Sequence, residues 1–257
     1  MILVDTHSHL FSEEFDNDLS DVVSRAKDVG VKRVLLPNID CSSMERLKRT
    51  VSSDTVFFMG MMGLHPTSVG ENWENELQII YQELKNGDYI AVGEIGIDLY
   101  WDKIYEKEQI KVFEEQLRWS LEFDVPVSIH ARNAHNEVVR SIKNVGSELR
   151  GVFHSFVGNR HEMEELLKFD GFYIGVNGVV TFKNSGLSET LKHCPSERLV
   201  IETDSPYLSP VPNRGKRNES SNLVHIVKKI SDIWQMDVEE VASLTSENAS
   251  KLFCLEL

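Results

Sequence analysis

The chain has 257 residues, of which 41% are hydrophobic and 26% are charged, as is typical of a globular protein with a sizeable core. Its net charge of −14 argues against a surface that coats nucleic acid nonspecifically, because the mean field repels phosphate. No apolar run approaches the roughly 18 residues of a membrane span, the N-terminus shows no signal-like stretch, and the three scattered cysteines do not suggest a disulfide framework. We therefore expect a cytoplasmic protein without a membrane partner.

Short apolar runs alternate with longer amphipathic segments along the chain. The runs predicted as strands are 2–9, 32–37, 56–63, 89–93, 125–130, 151–154, 172–176 and 198–203. Helices are predicted between them, including 13–29 and 106–123; in the second, apolar residues recur at steps of three or four. Such alternation implies parallel strands joined by helical crossovers.

Eight strand–helix units in about 250 residues favour a (β/α)8 barrel of the TIM type over an open doubly wound sheet, which remains the alternative. We expect one α/β domain over residues 1–257. In such a barrel, the active site lies at the C-terminal ends of the strands. Residues at those ends are therefore the first candidates for function.

Side chains that bind metals follow the predicted strands. The opening "MILVDTHSHL" places Asp5, His7 and His9 two residues apart, so a strand would direct all three to one face. Five of the nine histidines and two carboxylates lie at strand ends, namely His7, His9, His65, Glu94, His130, His154 and Asp204.

Such a cluster cannot be buried without compensation, because buried carboxylates must be paired, hydrogen-bonded or bound to metal. Imidazole and carboxylate together suit Zn, Mn, Fe, Co or Ni. A single zinc ion usually takes three protein ligands, whereas six donors with one bridging carboxylate suit two metals about 3.5–4 Å apart. The sequence therefore predicts two divalent metal ions, with Mg, Mn and Zn as candidates.

Eight motifs occur in order along the chain: "DTHSHL", "GLHP", "VGEIGIDLY", "VPVSIHAR", "GVFHSFVG", "NGVVTFKN", "IETDSPYLSP" and "RGKRNESSN". Together they resemble the TatD family of metal-dependent deoxyribonucleases, within the amidohydrolase superfamily. The resemblance implies a TIM-type barrel with a two-metal site. In it, His7, His9 and Asp204 would hold one ion, His130 and His154 would hold the other, and Glu94 would bridge both.

Two positions depart from the family pattern. Ser220 follows Asn218 and Glu219 where the family commonly has Asn-Glu-Pro, and Leu99 stands where an aromatic residue usually follows the aspartate. Neither position is a predicted ligand.

The first functional hypothesis is an exonuclease that hydrolyses phosphodiester bonds of DNA, at single strands or strand ends. Two cations would activate water and clamp the phosphate oxygens. Asp204 would also accept the proton of the water, Glu94 would bridge the ions, and His65 would contact the phosphate or the leaving group. His65 also has a simpler interpretation, as a turn residue before Pro66.

Basic and aromatic residues near the same strand ends are candidates for substrate binding. Arg132 would contact phosphate or form a surface ion pair. Lys183, Arg214 and Arg217 would form a local cationic patch that contacts phosphate, or lie in solvated loops. Tyr100, Trp101 and Tyr207 would stack on bases or pack in the core. Glu202 and Asp5 are predicted to orient ligating histidines.

Two other classes of function remain open. The same activated water would serve a hydrolase of a small ester, lactone or amide, or a nucleobase deaminase, and a carbonyl hydrolase would suit the acidic charge. A non-enzymatic metal-binding protein is the third possibility.

Overall fold

The computed structural model describes residues 1–101 and 103–257, where parallel strands alternate with helices. The strands within these ranges are β1 (Leu3–Asp5), β2 (Val31–Pro37), β3 (Phe58–Met61), β4 (Val92–Asp98), β5 (Val127–Arg132), β6 (Gly151–Phe153), β7 (Phe172–Val176) and β8 (Leu199–Ile201). The α-helices are α1 (Leu19–Asp28), α2 (Met44–Ser53), α3 (Trp73–Asn86), α4 (Glu106–Phe123), α5 (His135–Val145), α6 (Arg160–Leu166), α7 (Leu187–Leu191), α8 (Leu223–Trp234) and α9 (Val238–Phe253). Of the helices described, none combines the length and the apolar character needed to cross a membrane.

The strands close into a barrel. Parallel pairing runs from β1 to β3 and from β4 to β8. Backbone hydrogen bonds continue across both gaps: the Met62 amide donates to the Ala91 carbonyl at 3.1 Å, and the Thr6 amide donates to the Ile201 carbonyl at 3.2 Å. The TIM-type barrel predicted from the sequence is thereby confirmed, and the open sheet is wrong.

Helix α4 shows how the outer layer fixes the mouth of the barrel. Its side chains Phe113 and Leu117 are fully buried, and burial of each stabilises the fold by about 1.5–3 kcal/mol. The same face carries two buried glutamines. The Oε1 atom of Gln109 accepts the Asp98 amide at 2.9 Å, and that of Gln116 accepts the Leu64 amide at 2.7 Å. A packed helix thus positions the ends of β3 and β4.

Several predicted boundaries were wrong, including the end of the fifth strand, which runs past His130 to Arg132, and those of the first strand, the fourth strand and the first helix. Strand β1 ends at Asp5, so His7 and His9 lie in the segment that follows it. Strand β4 runs to Asp98, so Glu94 lies inside the strand rather than at its end. Gly96 lies inside β4, where only glycine fits, because a Cβ there would lie 1.9 Å from the His130 carbonyl oxygen. The helix predicted over 13–29 is a 3-10 turn, Glu13–Phe15, followed by α1.

Candidate metal centre

The Glu94 carboxylate lies at the centre of a cluster of imidazoles at the C-terminal mouth of the barrel. It is 3% exposed, so its charge must be compensated inside the protein. One oxygen, Oε2, lies 3.1 Å from His7 Nε2 and 3.7 Å from His9 Nε2. The other, Oε1, faces His65 Nε2, His130 Nδ1 and His154 Nε2, at 3.3, 2.9 and 3.4 Å respectively. The two carboxylate oxygens thus face two different sets of nitrogen donors.

Asp204 approaches the cluster from the segment after β8. Its Oδ1 lies 3.6 Å from His9 Nε2 and 4.0 Å from His7 Nε2. Asp204 adopts a left-handed backbone conformation with φ of 57°, and its amide donates to the His7 carbonyl at 2.9 Å. This conformation is uncommon for a residue other than glycine. The backbone bond joins Asp204 to the segment that carries both histidines.

His65 reaches the cluster from the turn after β3. Its Nδ1 accepts a hydrogen bond from the Thr67 amide at 3.2 Å. This bond leaves Nε2 facing Glu94. The structure therefore brings together all seven residues that the sequence placed at strand ends.

Besides His65, whose Nδ1 also contacts the Thr67 hydroxyl, three of the imidazoles have a neighbouring side chain beside their second ring nitrogen. Glu202 Oε1 lies 2.9 Å from His154 Nδ1, as expected for an orienting partner. The other two partners were not predicted. Ser128 Oγ lies 3.2 Å from His7 Nδ1, and Asp98 Oδ2 lies 3.0 Å from His130 Nε2. Partners of this kind fix the tautomer and the ring orientation of metal-binding histidines.

The sequence does contain signals for the two missed partners. Asp98 stands four residues after Glu94 on β4, and residues four apart in a strand share a face. Ser128 is a polar residue in the otherwise apolar start of β5, two residues before His130. In both cases the side chain lies on the same strand face as a cluster residue.

The prediction that Asp5 orients His7 is wrong. The fully buried Asp5 carboxylate accepts bonds from the Thr203 amide at 2.8 Å and from the Ser220 hydroxyl at 2.6 Å. β1 ends at Asp5, so the alternation expected of a strand does not extend to His7. The departure from the family pattern at Ser220 supplies a donor that proline lacks.

The electrostatics of the cluster show two opposing effects. Burial alone raises the pKa of Glu94, but His65, His7 and His154 outweigh this and lower it well below its usual value. Burial likewise lowers the pKa of His154, but Glu202 and Glu94 raise it to about 10. Glu94 is therefore ionised, and positive charge beside it is stabilised. Protons on imidazoles or bound cations can supply that charge.

The donors fit divalent cations. Three groups have ligand atoms within 4.8 Å of one another: His7 with His9 and Asp204; His65 with Glu94 and His130; and His7 with His154 and Glu202. The first matches a set implied by the family resemblance, whereas the second brings in His65. The buried atoms His9 Nδ1, His154 Nδ1 and Glu202 Oε2 lack a hydrogen-bond partner among the described residues, so the 2.9 Å approach of Glu202 to His154 is an ion-pair contact.

The predicted substrate-binding residues lie outside this cluster and are exposed: Tyr100, Trp101, Arg132, Lys183, Tyr207 and Arg214. The core-packing interpretation of the three aromatic residues is therefore wrong. The Arg214 guanidinium carbon lies 4.0 Å from the centre of the Phe182 ring, next to Lys183. Arg217 does not remain free for the predicted patch, because its guanidinium donates to both carboxylate oxygens of Asp18.

Known proteins share this fold and much of this sequence. The chain is 37% identical over 254 residues to YabD of Bacillus subtilis, an uncharacterised metal-dependent hydrolase, and the match covers 98% of this chain and 99% of the relative. It is 31% identical over 261 residues to a protein of Pectobacterium carotovorum named 3′-5′ ssDNA/RNA exonuclease TatD, covering 98% of this chain and 100% of the relative.

Among solved structures, the Escherichia coli TatD homologue YjjV superposes with a TM-score of 0.91 at 25% identity, covering 99% of this chain and 98% of that one. The family described as TatD related DNase matches residues 4–254. With the barrel and its candidate metal-binding groups, these matches identify the chain as a metal-dependent hydrolase of the TatD family.

Proposed function

We propose that this chain is an exonuclease that hydrolyses phosphodiester bonds of DNA, at single strands or strand ends, within one hydrolase domain over residues 1–257. The position of Glu94, with each carboxylate oxygen facing its own set of imidazoles, is the observation that carries the proposal. A carboxylate so placed suits a pair of cations, and pairs of cations are common in enzymes that cleave phosphate esters.

In this proposal His7, His9 and Asp204 would hold one divalent ion, His130 and His154 would hold the other, and Glu94 would be shared by both. When bound, two ions such as Mg, Mn or Zn lower the pKa of a water and offset the charge of the phosphate oxygens. Glu202 and Asp98 keep His154 and His130 in the required orientation.

Asp204 is the proposed proton acceptor for the attacking water. The Asp204 side chain is 14% exposed, more than the 4% of the Glu94 side chain, so water and substrate can approach it. Contact with His9, and the neighbouring His154 and His7, outweigh the effect of burial and lower the pKa of Asp204, so it is ionised and able to accept a proton. His65 is proposed to contact the phosphate or the leaving group.

Arg132, Lys183 and Arg214 are the proposed phosphate contacts. In the part of the chain that the structure describes, none of the three forms an ion pair. They therefore offer local positive charge on a protein with a net charge of −14. A mouth with few such contacts suits a strand terminus better than a long duplex. The name of the Pectobacterium relative supports single-stranded nucleic acid and a 3′-5′ direction.

Hydrolysis of a small ester is the second candidate. The acidic net charge and the engagement of Arg217 with Asp18 favour it, because both reduce the attraction for a polyanion. The same donors would serve an ester or a lactone.

The deciding experiment is a metal series on single-stranded and double-stranded oligonucleotides with free, 3′-blocked or 5′-blocked ends. A Glu94→Gln preparation, purified in parallel, controls for contaminating nucleases. The proposal predicts cleavage of single strands that a 3′ block suppresses, that needs Mg, Mn or Zn, and that the variant lacks. No cleavage of any oligonucleotide, together with turnover of p-nitrophenyl esters or lactones, would favour the small-ester hydrolase.

A further inference from the structure

The loop between β4 and α4 carries large apolar side chains in water at the mouth of the barrel. Tyr100 is 51% exposed and Trp101 is 70% exposed. Adjacent exposed aromatic rings are unusual enough on a soluble protein to indicate a binding surface. They follow directly from the strand that carries Glu94.

Arg132 joins the two rings into one surface. Its guanidinium carbon lies 3.7 Å from the centre of the Tyr100 ring and 5.4 Å from that of Trp101. The ring centres are 5.0 Å apart, with their planes at 85°. The two rings are therefore nearly perpendicular, and the planar Arg132 guanidinium lies over the Tyr100 ring. We call these three side chains the aromatic platform.

The aromatic platform is attached to the candidate metal centre through one carboxylate. Asp98 Oδ1 accepts the Tyr100 amide at 2.9 Å, while Oδ2 lies 3.0 Å from His130 Nε2. The Leu99 amide donates to the Arg132 carbonyl at 2.9 Å. Arg132 follows His130 by two residues on β5, which places their Cα atoms about 7 Å apart on one strand face.

We infer that the aromatic platform stacks the unpaired base of a nucleotide adjacent to the phosphate that is cleaved. This inference rests on the proposed nuclease function and names the part of the substrate that the rim recognises. Aromatic rings and arginine planes stack any base, because every base has a π-face. A base pair inside a duplex does not expose that face, so the platform selects single strands or frayed ends without selecting sequence.

The test compares a fluorescently labelled single-stranded oligonucleotide with a series in which one nucleotide at a time is abasic. Trp101→Ala and Tyr100→Ala are measured beside Ile79→Ala, a control on the outer helix α3 where the side chain is 42% exposed. Binding is followed by anisotropy with the metal-loaded protein, and cleavage is followed in parallel. The metal content of each protein, measured by inductively coupled plasma mass spectrometry, reports on the metal centre alone.

We expect Trp101→Ala to weaken binding of the natural strand by about tenfold, within the range for one stacked base. In the wild type, one abasic position should cause a similar loss, and that loss should disappear in the variant. The metal content of the variants and the oligonucleotide binding of the Ile79→Ala control should be unchanged. Equal losses on natural and abasic strands, or a lower metal content in Trp101→Ala, would overturn the inference in favour of a structural role.

The remaining outcomes separate the two proposals. Base-dependent binding through the platform without cleavage would retain the inference and refute the nuclease. Binding and cleavage that are unchanged in Trp101→Ala and Tyr100→Ala would retain the nuclease and refute the inference. If the substitutions change the sedimentation of the protein but not oligonucleotide binding, the platform is a contact between protein chains and the inference is wrong. Absence of both binding and cleavage would refute both.

Discussion

Charged groups at the mouth of the barrel lie in two environments, a buried floor and an exposed rim. On the floor, His7, Glu94, His154 and Glu202 are at most 5% exposed, and each lies close to a group of complementary charge or hydrogen-bonding character. On the rim, Arg132 and Lys183 are exposed to water and to salt. Electrostatic interactions are strong where water is excluded and weak where it is not. Substitutions on the floor should therefore have much larger effects than substitutions on the rim.

The largest effect is expected for Glu94→Gln. An amide offers one neutral oxygen in place of two charged ones, so it cannot serve two cations. We expect kcat to fall at least a thousandfold, equivalent to about 4 kcal/mol, whereas Arg132→Ala should leave kcat unchanged. Steady-state kinetics at saturating metal test this, with circular dichroism to confirm folding. Equal losses in the two variants would remove the special role of Glu94.

Next in size is the effect of Glu202→Gln. This side chain faces His154 Nδ1 at 2.9 Å and holds the ring that faces Glu94. Loss of such a partner typically lowers metal affinity 10- to 100-fold, and Asp98→Asn should act similarly through His130. Competition with a chelator measures the affinity, and Glu197→Gln, an exposed site before β8, is the matched control. Unchanged affinity in Glu202→Gln would show that His154 needs no orientation.

The rim should produce moderate, salt-dependent effects. Arg132→Ala should raise KM a few-fold and leave kcat unchanged, because the charge positions substrate in a screened environment. Each phosphate contact removed should reduce the slope of log affinity against log salt by about 0.7 on single strands. Binding at several salt concentrations tests this for Arg132→Ala, Lys183→Ala and Arg214→Ala. If the wild type shows a steep dependence of affinity on salt and none of the three variants reduces it, the phosphate contacts lie elsewhere.

The smallest effect on activity is expected from modification of the cysteines, which lie outside the barrel mouth and also differ in burial. Burial raises the pKa of the Cys194 thiol to about 12, so at pH 8 it is protonated and unreactive. Cys254 is exposed. Iodoacetamide at pH 8 should therefore alkylate Cys254 first and Cys194 only after unfolding, with activity retained, as peptide mass spectrometry can show. Rapid labelling of Cys194 in the folded protein would contradict its burial.

The sequence predicted the barrel and the meeting of its polar residues because both depend on chain order. Once the strands are parallel, residues such as His130 and His154 come to one edge whatever the details of packing. The exact end of β4 was not predictable, since Glu94 is tolerated inside a strand only because distant imidazoles surround it.

Long-range partners explain the other differences. Arg217 pairs with Asp18, which lies 199 positions away in the chain, so no local pattern indicates that its charge is used. Asp5 likewise bonds to Ser220, 215 positions away. Trp101 is apolar, and composition alone does not distinguish an aromatic residue in the core from one at a binding surface.

The central claim is that the floor holds two divalent ions with Glu94 shared between them. The most direct test is the metal content of wild-type protein and Glu94→Gln after saturation with Zn or Mn and removal of free metal, measured by inductively coupled plasma mass spectrometry. The account predicts two ions per chain for the wild type and at most one for the variant. A single ion in the wild type, or two ions in both proteins, would contradict it.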